Sequence, residues 1–473
     1  MSEVKTENIR NVVLLSHTGA GKTTLAEAML FRAKVIGRQG KVDDGNTVTD
    51  FEPEEIKRRS SISTAIAPFT WKDVKINLID TPGYFDFVGE VMAAMRVADA
   101  AVIVVCAASG IEVGTELVWE YAERMGLPRL IFVNKMDREN ADFAKVFSQI
   151  EERFGRKCVP VTVPIGAVET LKGTYDLVQG TPSEGAPSDA LSASEIEEAR
   201  ERLIERVAEA DDDLATKYLE GEELTQEELF AGLRAGTRAG LVVPVLAGSA
   251  LKNVGIEDLI EAMINYLPSP KDRGKVKVRG ADSVEELEPD EKAPLAALVF
   301  KTTTDPYVGK INYLRVFSGT LTAEGNVWNA TKGKSERMGQ LAIMRGKAQE
   351  PVPRLVAGDI GVVTKLAETS TGDTLCSQDH PVQFDPIEYP LANLSLAVHP
   401  KSKADVDKLS TSLAKLLEED PSLRMHREPD TGEIIITGYG EAQMEVLASK
   451  MKRKFGLEAE LTLPKIPYKE TIT

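Results

Sequence analysis

The stretch "SHTGAGKT", Ser16 to Thr23, lies directly between the apolar run "VVLL" and the helical pattern "TLAEAMLFRA". A glycine loop in that context lets successive backbone N–H groups curl around phosphate oxygens while a helix N-terminus points at them. It predicts strand, phosphate loop and helix, the first unit of a parallel α/β sheet. Ser16, His17, Thr18, Gly19, Ala20, Gly21, Lys22, Thr23 and Thr24 are the candidate phosphate contacts. Lys22 is placed to reach the β- and γ-phosphates and the Thr23 hydroxyl to ligate Mg2+. The full pattern has glycine first, where this chain has Ser16.

Three further motifs follow apolar strands of the same domain. "DTPG" comes after "INLI": Asp80 can hold Mg2+ through a water while the Gly83 N–H meets the γ-phosphate. "NKMD" follows "LIFV" and supplies Asn134, Lys135 and Asp137. The Asp137 carboxylate can accept from guanine N1–H and its N2 amino group, and adenine, which cannot pair with it, is disfavoured on the order of 10⁴-fold. "GSALKN" follows "VPVL", so the backbone of Ser249, Ala250 and Leu251 can face the guanine O6. Four motifs in this order predict a GTP site.

At 473 residues the chain exceeds one average domain, and roughly one domain per 150 residues predicts about three. From Asn11 to about Leu267 strands alternate with helices, which predicts a largely parallel sheet. The gap from Asn134 to Ser249 is too long for one strand–helix unit, so an insert is expected at about 154–240; its acidic helical pattern reads as a solvated face. A polar linker leads to short strands between Leu295 and Cys376 bounded by turn signals, the spacing of an antiparallel barrel or sandwich. From Tyr389 the order becomes βαββαβ, with Val406, Leu409, Leu413 and Leu416 on one helix and Met444, Leu447, Met451 and Phe455 on the next; this is the ferredoxin-like split unit.

The net charge of −17 argues against a simple sequence-independent DNA binder. Cys106, Cys158 and Cys376 are far apart and read as small buried hydrophobes in a reducing compartment. No apolar run is long enough to cross a bilayer, so a cytoplasmic protein without membrane contact is expected.

The loop set, the insert after "NKMDREN" and "VLAGSALKNVGI" resemble the GTPase domain of bacterial elongation factor G. "VGKINYLRVFSGTLTAEGNVWNATKGKSERMGQL", "TTTDPYVG" and "AGDIGVV" resemble its β-barrel second domain; "HPKSKADVDKLSTSLAKLLEEDPSLRM" and "TGYGEAQMEVLASKMKRKFGLEAEL" resemble its ferredoxin-like third. The resemblance implies a multidomain α/β chain: a P-loop GTPase domain at 1–275, a β-barrel at 290–385 and a ferredoxin-like domain at 388–466. Residues 467–473 match the start of a fourth domain, so a fragment of a longer protein is expected. It also implies GTP and GDP as substrate and product, Mg2+ as cofactor, the ribosome as partner and a monomer.

The departures from the family are specific. Its first switch region offers a threonine hydroxyl to Mg2+, where "IKRRSSISTA" places Ser61. Gly19 stands where the family has aspartate, and Thr18 where it has a more apolar residue. The residue after D-x-x-G is a water-orienting histidine in the family and Tyr84 here; with an ordinary pKa of about 10, a phenol is a poor proton acceptor at neutral pH. Tyr84 is expected to position water weakly, giving slow or specialised hydrolysis, or else to pack beside the following helix. His17 in the phosphate loop is expected to be structural or phosphate-proximal. Two other readings stand beside an elongation-factor-like GTPase: a GTP-switched ribosome-associated regulator with little hydrolysis, and a class II release-factor-like GTPase. Lys450, Lys452, Arg453 and Lys454 read as a solvated helix end.

Overall fold

The computed structural model describes residues 4–187, 191–281, 283–305, 308–402 and 405–470. The first domain is built on β1 (Ile9–Leu15), α1 (Lys22–Arg32), α2 (Pro53–Arg58), β2 (Ala65–Trp71), β3 (Val74–Asp80), α3 (Val88–Arg96), β4 (Ala100–Cys106), α4 (Val113–Arg124) and β5 (Arg129–Asn134). Every residue of β1, β4 and β5 is buried, as strands covered on both faces must be. The seven-stranded sheet runs β2, β3, β1, β4, β5, then Val243–Ala247 and Cys158–Pro160; all neighbours are parallel except β2 with β3. Parallel pairing brings the carboxyl ends of β1, β3, β5 and Val243–Ala247 to one edge. That edge is where ligands sit in open α/β sheets.

Within the stretch 154–240, Cys158–Pro160 joins the main sheet instead of standing apart. Leu203, Val207, Leu229 and Leu233 of the acidic helices share one apolar cluster with Leu14, Leu25 and Ile260 of the core. Those helices are therefore solvated on one face and anchored on the other. All three cysteines are buried and unpaired, as expected.

The second domain is antiparallel: an eight-stranded sheet plus the two-stranded ladder of Thr320–Thr322 with Arg354–Val356. Leu321 and Leu355 from the ladder enter the same apolar cluster as Val299, Leu314 and Val363 from the large sheet, giving the single interior a barrel needs. In the third domain the strand order is Arg424–Arg427, Ile434–Gly438, Leu394–Pro400, Ala459–Thr462, with helices Val406–Glu419 and Glu441–Phe455. Leu409, Leu413, Leu416, Met444, Leu447 and Met451 pack against it, the pattern read from the sequence; the side chain of Val406 and residues 471–473 lie outside the described residues. No described helix is long and apolar enough to cross a membrane.

Buried polar side chains join the first two domains. Asn11 donates to Asp99 at 2.8 Å and to the Gly358 carbonyl at 2.7 Å, and Asn77 donates to Asn11 at 2.9 Å and to Asp359 at 3.0 Å. Lys75 pairs with Asp359 at 2.7 Å and Arg315 with Asp99 at 2.7 Å, all four side chains nearly inaccessible. The third domain meets the first through Arg453, which donates to Glu54 and Glu52 at 2.9 and 2.7 Å, while Arg58 reaches Glu445 at 2.9 Å. Lys454 pairs with Glu419 at 2.6 Å. These contacts correct the reading of Arg453 and Lys454 as part of a solvated end, since an acidic partner from elsewhere in the fold takes each charge, whereas Lys452 is exposed as that reading has it.

Candidate functional site

After β1 the chain turns through Ser16–Gly21 into α1. Gly19 and Gly21 hold φ +78° and +100°, left-handed values that a side chain disfavours. The N-cap of α1 is Gly21, whose missing side chain leaves the first N–H groups to an incoming anion. Lys22 folds back to donate to Ser16 Oγ at 2.7 Å, so the serine that replaces glycine has a definite contact. Burial pushes the Lys22 ammonium down to about 8, against the opposing pull of Asp80 and Asp50. Gly83 lies so close that an added Cβ would stand 2.5 Å from Lys22 Nζ and 2.9 Å from Thr18 Cα. Only glycine lets the two loops meet.

Thr23 Oγ1 donates to Asp80 Oδ2 at 3.0 Å and lies 3.0 Å from Ser61 Oγ. The three residues assigned to the metal from sequence are thus together. Two neighbours were missed. Thr49 donates to Asp80 Oδ2 at 2.7 Å, and Asp50 is buried with neither carboxylate oxygen bonded among the described residues; Asp80 Oδ1 is also unpartnered. Burial, then Asp80, pushes Asp50 up to about 7. Orphaned buried carboxylates cost on the order of several kcal/mol unless a cation meets them. No group of three or more His, Cys, Asp and Glu with ligand geometry occurs among the described residues. Two hydroxyls and two carboxylates nonetheless fit Mg2+, which takes oxygen donors and keeps water and phosphate in its remaining positions.

The base-recognition loops interlock with the phosphate loop. Asn134 Nδ2 donates to the Ala20 carbonyl at 3.0 Å and its Oδ1 accepts from Ala250 N at 2.9 Å. Lys135 Nζ reaches the Gly19 carbonyl, and Ser249 Oγ donates to Asp137 Oδ1. Leu251 is more than half exposed, whereas Ser249 and Ala250 are buried. Among the described residues the Thr24 side chain has no hydrogen bond to the other loops; its place in the first turn of α1 is the basis for its inclusion.

His17 turns away from the loop interior: Nδ1 accepts from Gly114 N at 3.2 Å and Nε2 lies 3.6 Å from Glu112. It ties the phosphate loop to α4, the structural alternative drawn from sequence. Tyr84 is 46% exposed, its hydroxyl without a hydrogen-bond partner among the described residues and its ring centroid 6.4 Å from that of Phe87. It borders a cavity of about 310 Å³ shared with Ser16, Thr18 and Gly83 and walled by Val113 and Leu117.

The family described as Elongation factor Tu GTP binding domain matches residues 7–269. Elongation factor G domain 2 matches 294–378, and Elongation Factor G, domain III, matches 389–463. A crystal structure of a Thermus thermophilus protein is 33% identical, with a TM-score of 0.85; the alignment covers 97% of this chain and 68% of that one.

Proposed function

This chain belongs to the elongation factor G-like translational GTPases, and from that membership we propose that it hydrolyses GTP to GDP and phosphate in contact with the ribosome, in the cytoplasm. The observation that carries the reading is the convergence of Lys22, Gly83, Asn134 and Asp137 at one sheet edge, each in contact with a residue of the surrounding loops. The phosphate loop backbone and Lys22 hold the phosphates, Asp137 selects guanine, and Asn134 locks its loop to Ala20. Thr23, Ser61 and Asp80, backed by Asp50, would hold Mg2+, which when bound offsets phosphate charge. Positioning and charge stabilisation dominate phosphoryl transfer, so a water held by the Tyr84 hydroxyl can serve without a proton acceptor. Replacing an acid–base group costs about 10²–10⁴-fold in rate, and slow turnover follows.

The exposed Tyr84, whose hydroxyl has no hydrogen-bond partner among the described residues, also favours a second reading, a GTP-switched regulator with little hydrolysis. Phosphate release with and without ribosomes separates the two. Ribosome-stimulated release that falls in Tyr84→Phe supports water positioning; stimulated release unchanged in that variant removes the hydroxyl from the mechanism; no release with either supports the regulator. The third-domain match to elongation factor G weighs against the release-factor reading.

A further inference from the structure

The helix Glu441–Phe455 has Gly440 as its N-cap, which offers no side chain to satisfy the first N–H groups. The missing cap comes from another domain. Asp86, two residues after Tyr84, accepts from Ala442 N through Oδ2 at 2.8 Å. A Cβ on Gly440 would lie 2.4 Å from the Asp86 carboxylate, so glycine is what lets the carboxylate seat on the helix end. Charge and geometry agree, because an anion at a helix N-terminus meets both the free N–H groups and the positive end of the dipole.

A second contact flanks the first. Ile62, next to Ser61, and Phe87, next to Asp86, form one small apolar cluster with Ala442 and Val446 of the same helix. The Tyr84 carbonyl accepts from Phe87 N at 3.0 Å, closing the short turn Phe85–Phe87 that has Tyr84 as its N-cap. The turn is thus fixed at its middle by Asp86 and at its end by Phe87, and Tyr84 stands at its free beginning.

We propose that Asp86 is a positioning residue for Tyr84: its carboxylate, seated on the N-terminus of the third-domain helix, sets the orientation of the turn that carries Tyr84 past Gly83. The link to hydrolysis rests on the proposed function; the link between Asp86, Gly440 and the Tyr84 ring does not. The third domain thereby acts on the loop that carries Tyr84 through the Asp86 hydrogen bond and the apolar contact of Phe87.

The test places 3-fluorotyrosine at position 84 of the chain and reads its fluorine NMR line with GDP, beside ribosome-stimulated GTP turnover. Asp86→Ala is expected to move the line and lower kcat by roughly 10- to 100-fold with KM within about twofold, the scale of a misplaced reacting group. Gly440→Ala, which touches only the helix side, should move the line the same way, and the double variant no further. Asp86→Asn, which keeps a capping oxygen, should restore the wild-type line. A line unmoved in Asp86→Ala, or moved equally by Asp86→Asn, overturns the proposal. If wild type shows no turnover, the hydrolysis reading fails and the fluorine line still decides the positioning role.

Discussion

Ser249 and Asp137 meet across two loops that end different strands: the serine hydroxyl donates to Asp137 Oδ1 and leaves the other carboxylate oxygen free of that contact. The hydrogen bond sets the plane of the carboxylate before any base arrives. Asp137→Asn keeps the volume but turns an acceptor into a donor toward guanine N1–H. GDP affinity is expected to fall by at least about 10²-fold, measured by calorimetry, since a site built to pair a polar edge rejects a mismatch strongly. Ser249→Ala should cost less, about tenfold.

Ser61 and Asp50 approach the same buried spot from the segment that precedes β2. Ser61→Ala is expected to raise the Mg2+ concentration needed for half-maximal GTP binding by roughly tenfold, and Ser61→Thr to restore it. Asp50→Asn should have a comparable effect, on the roughly 10–100-fold scale of groups that support a metal from the outer shell. Titration of Mg2+ at fixed nucleotide measures all three.

Lys75 and Asp359 are sealed between the first two domains. Asp359→Ala leaves the ammonium buried and strips a partner from Asn77, so a loss of about 3–5 kcal/mol is expected in urea unfolding. Replacing both as Lys75→Met with Asp359→Leu should cost less than the single change, because no buried charge is then stranded.

Arg453 holds Glu54 at the switch-facing edge of the third domain. Burial by itself raises the Glu54 carboxyl, but the Arg453 hydrogen bond and charge outweigh it and keep the group below its ordinary range. A depressed folded value means that this stabilisation is complete above the unfolded value of about 4.3 and is lost as pH falls through the folded one. Arg453→Glu at neutral pH should mimic that acid release. Faster amide exchange in residues 52–63, reversed by adding Glu54→Arg, is the expected outcome.

Much of this was legible in the sequence where local rules govern. Strand runs and the four loop motifs depend on neighbours a few residues away. Asp50 was not legible, because it sits in an irregular stretch with no periodicity and acquires meaning only when Asp80 arrives from β3. Asn11, Asn77 and Asp99 gave no sign that they join domains, since a polar residue in or beside a buried strand looks the same whatever it bonds. Arg453 and Lys454 were read as solvated because their acidic partners, Glu54 and Glu419, lie far away in sequence. His17 gave only its place in the loop, and α4 supplied its partner.

The most direct test is calorimetric titration of the purified chain, in Mg2+, with GDP and with ADP. Tight binding of GDP, with ADP weaker by roughly three orders of magnitude or more, is the predicted result. Equal affinities for the two, or no binding of either, would contradict the account.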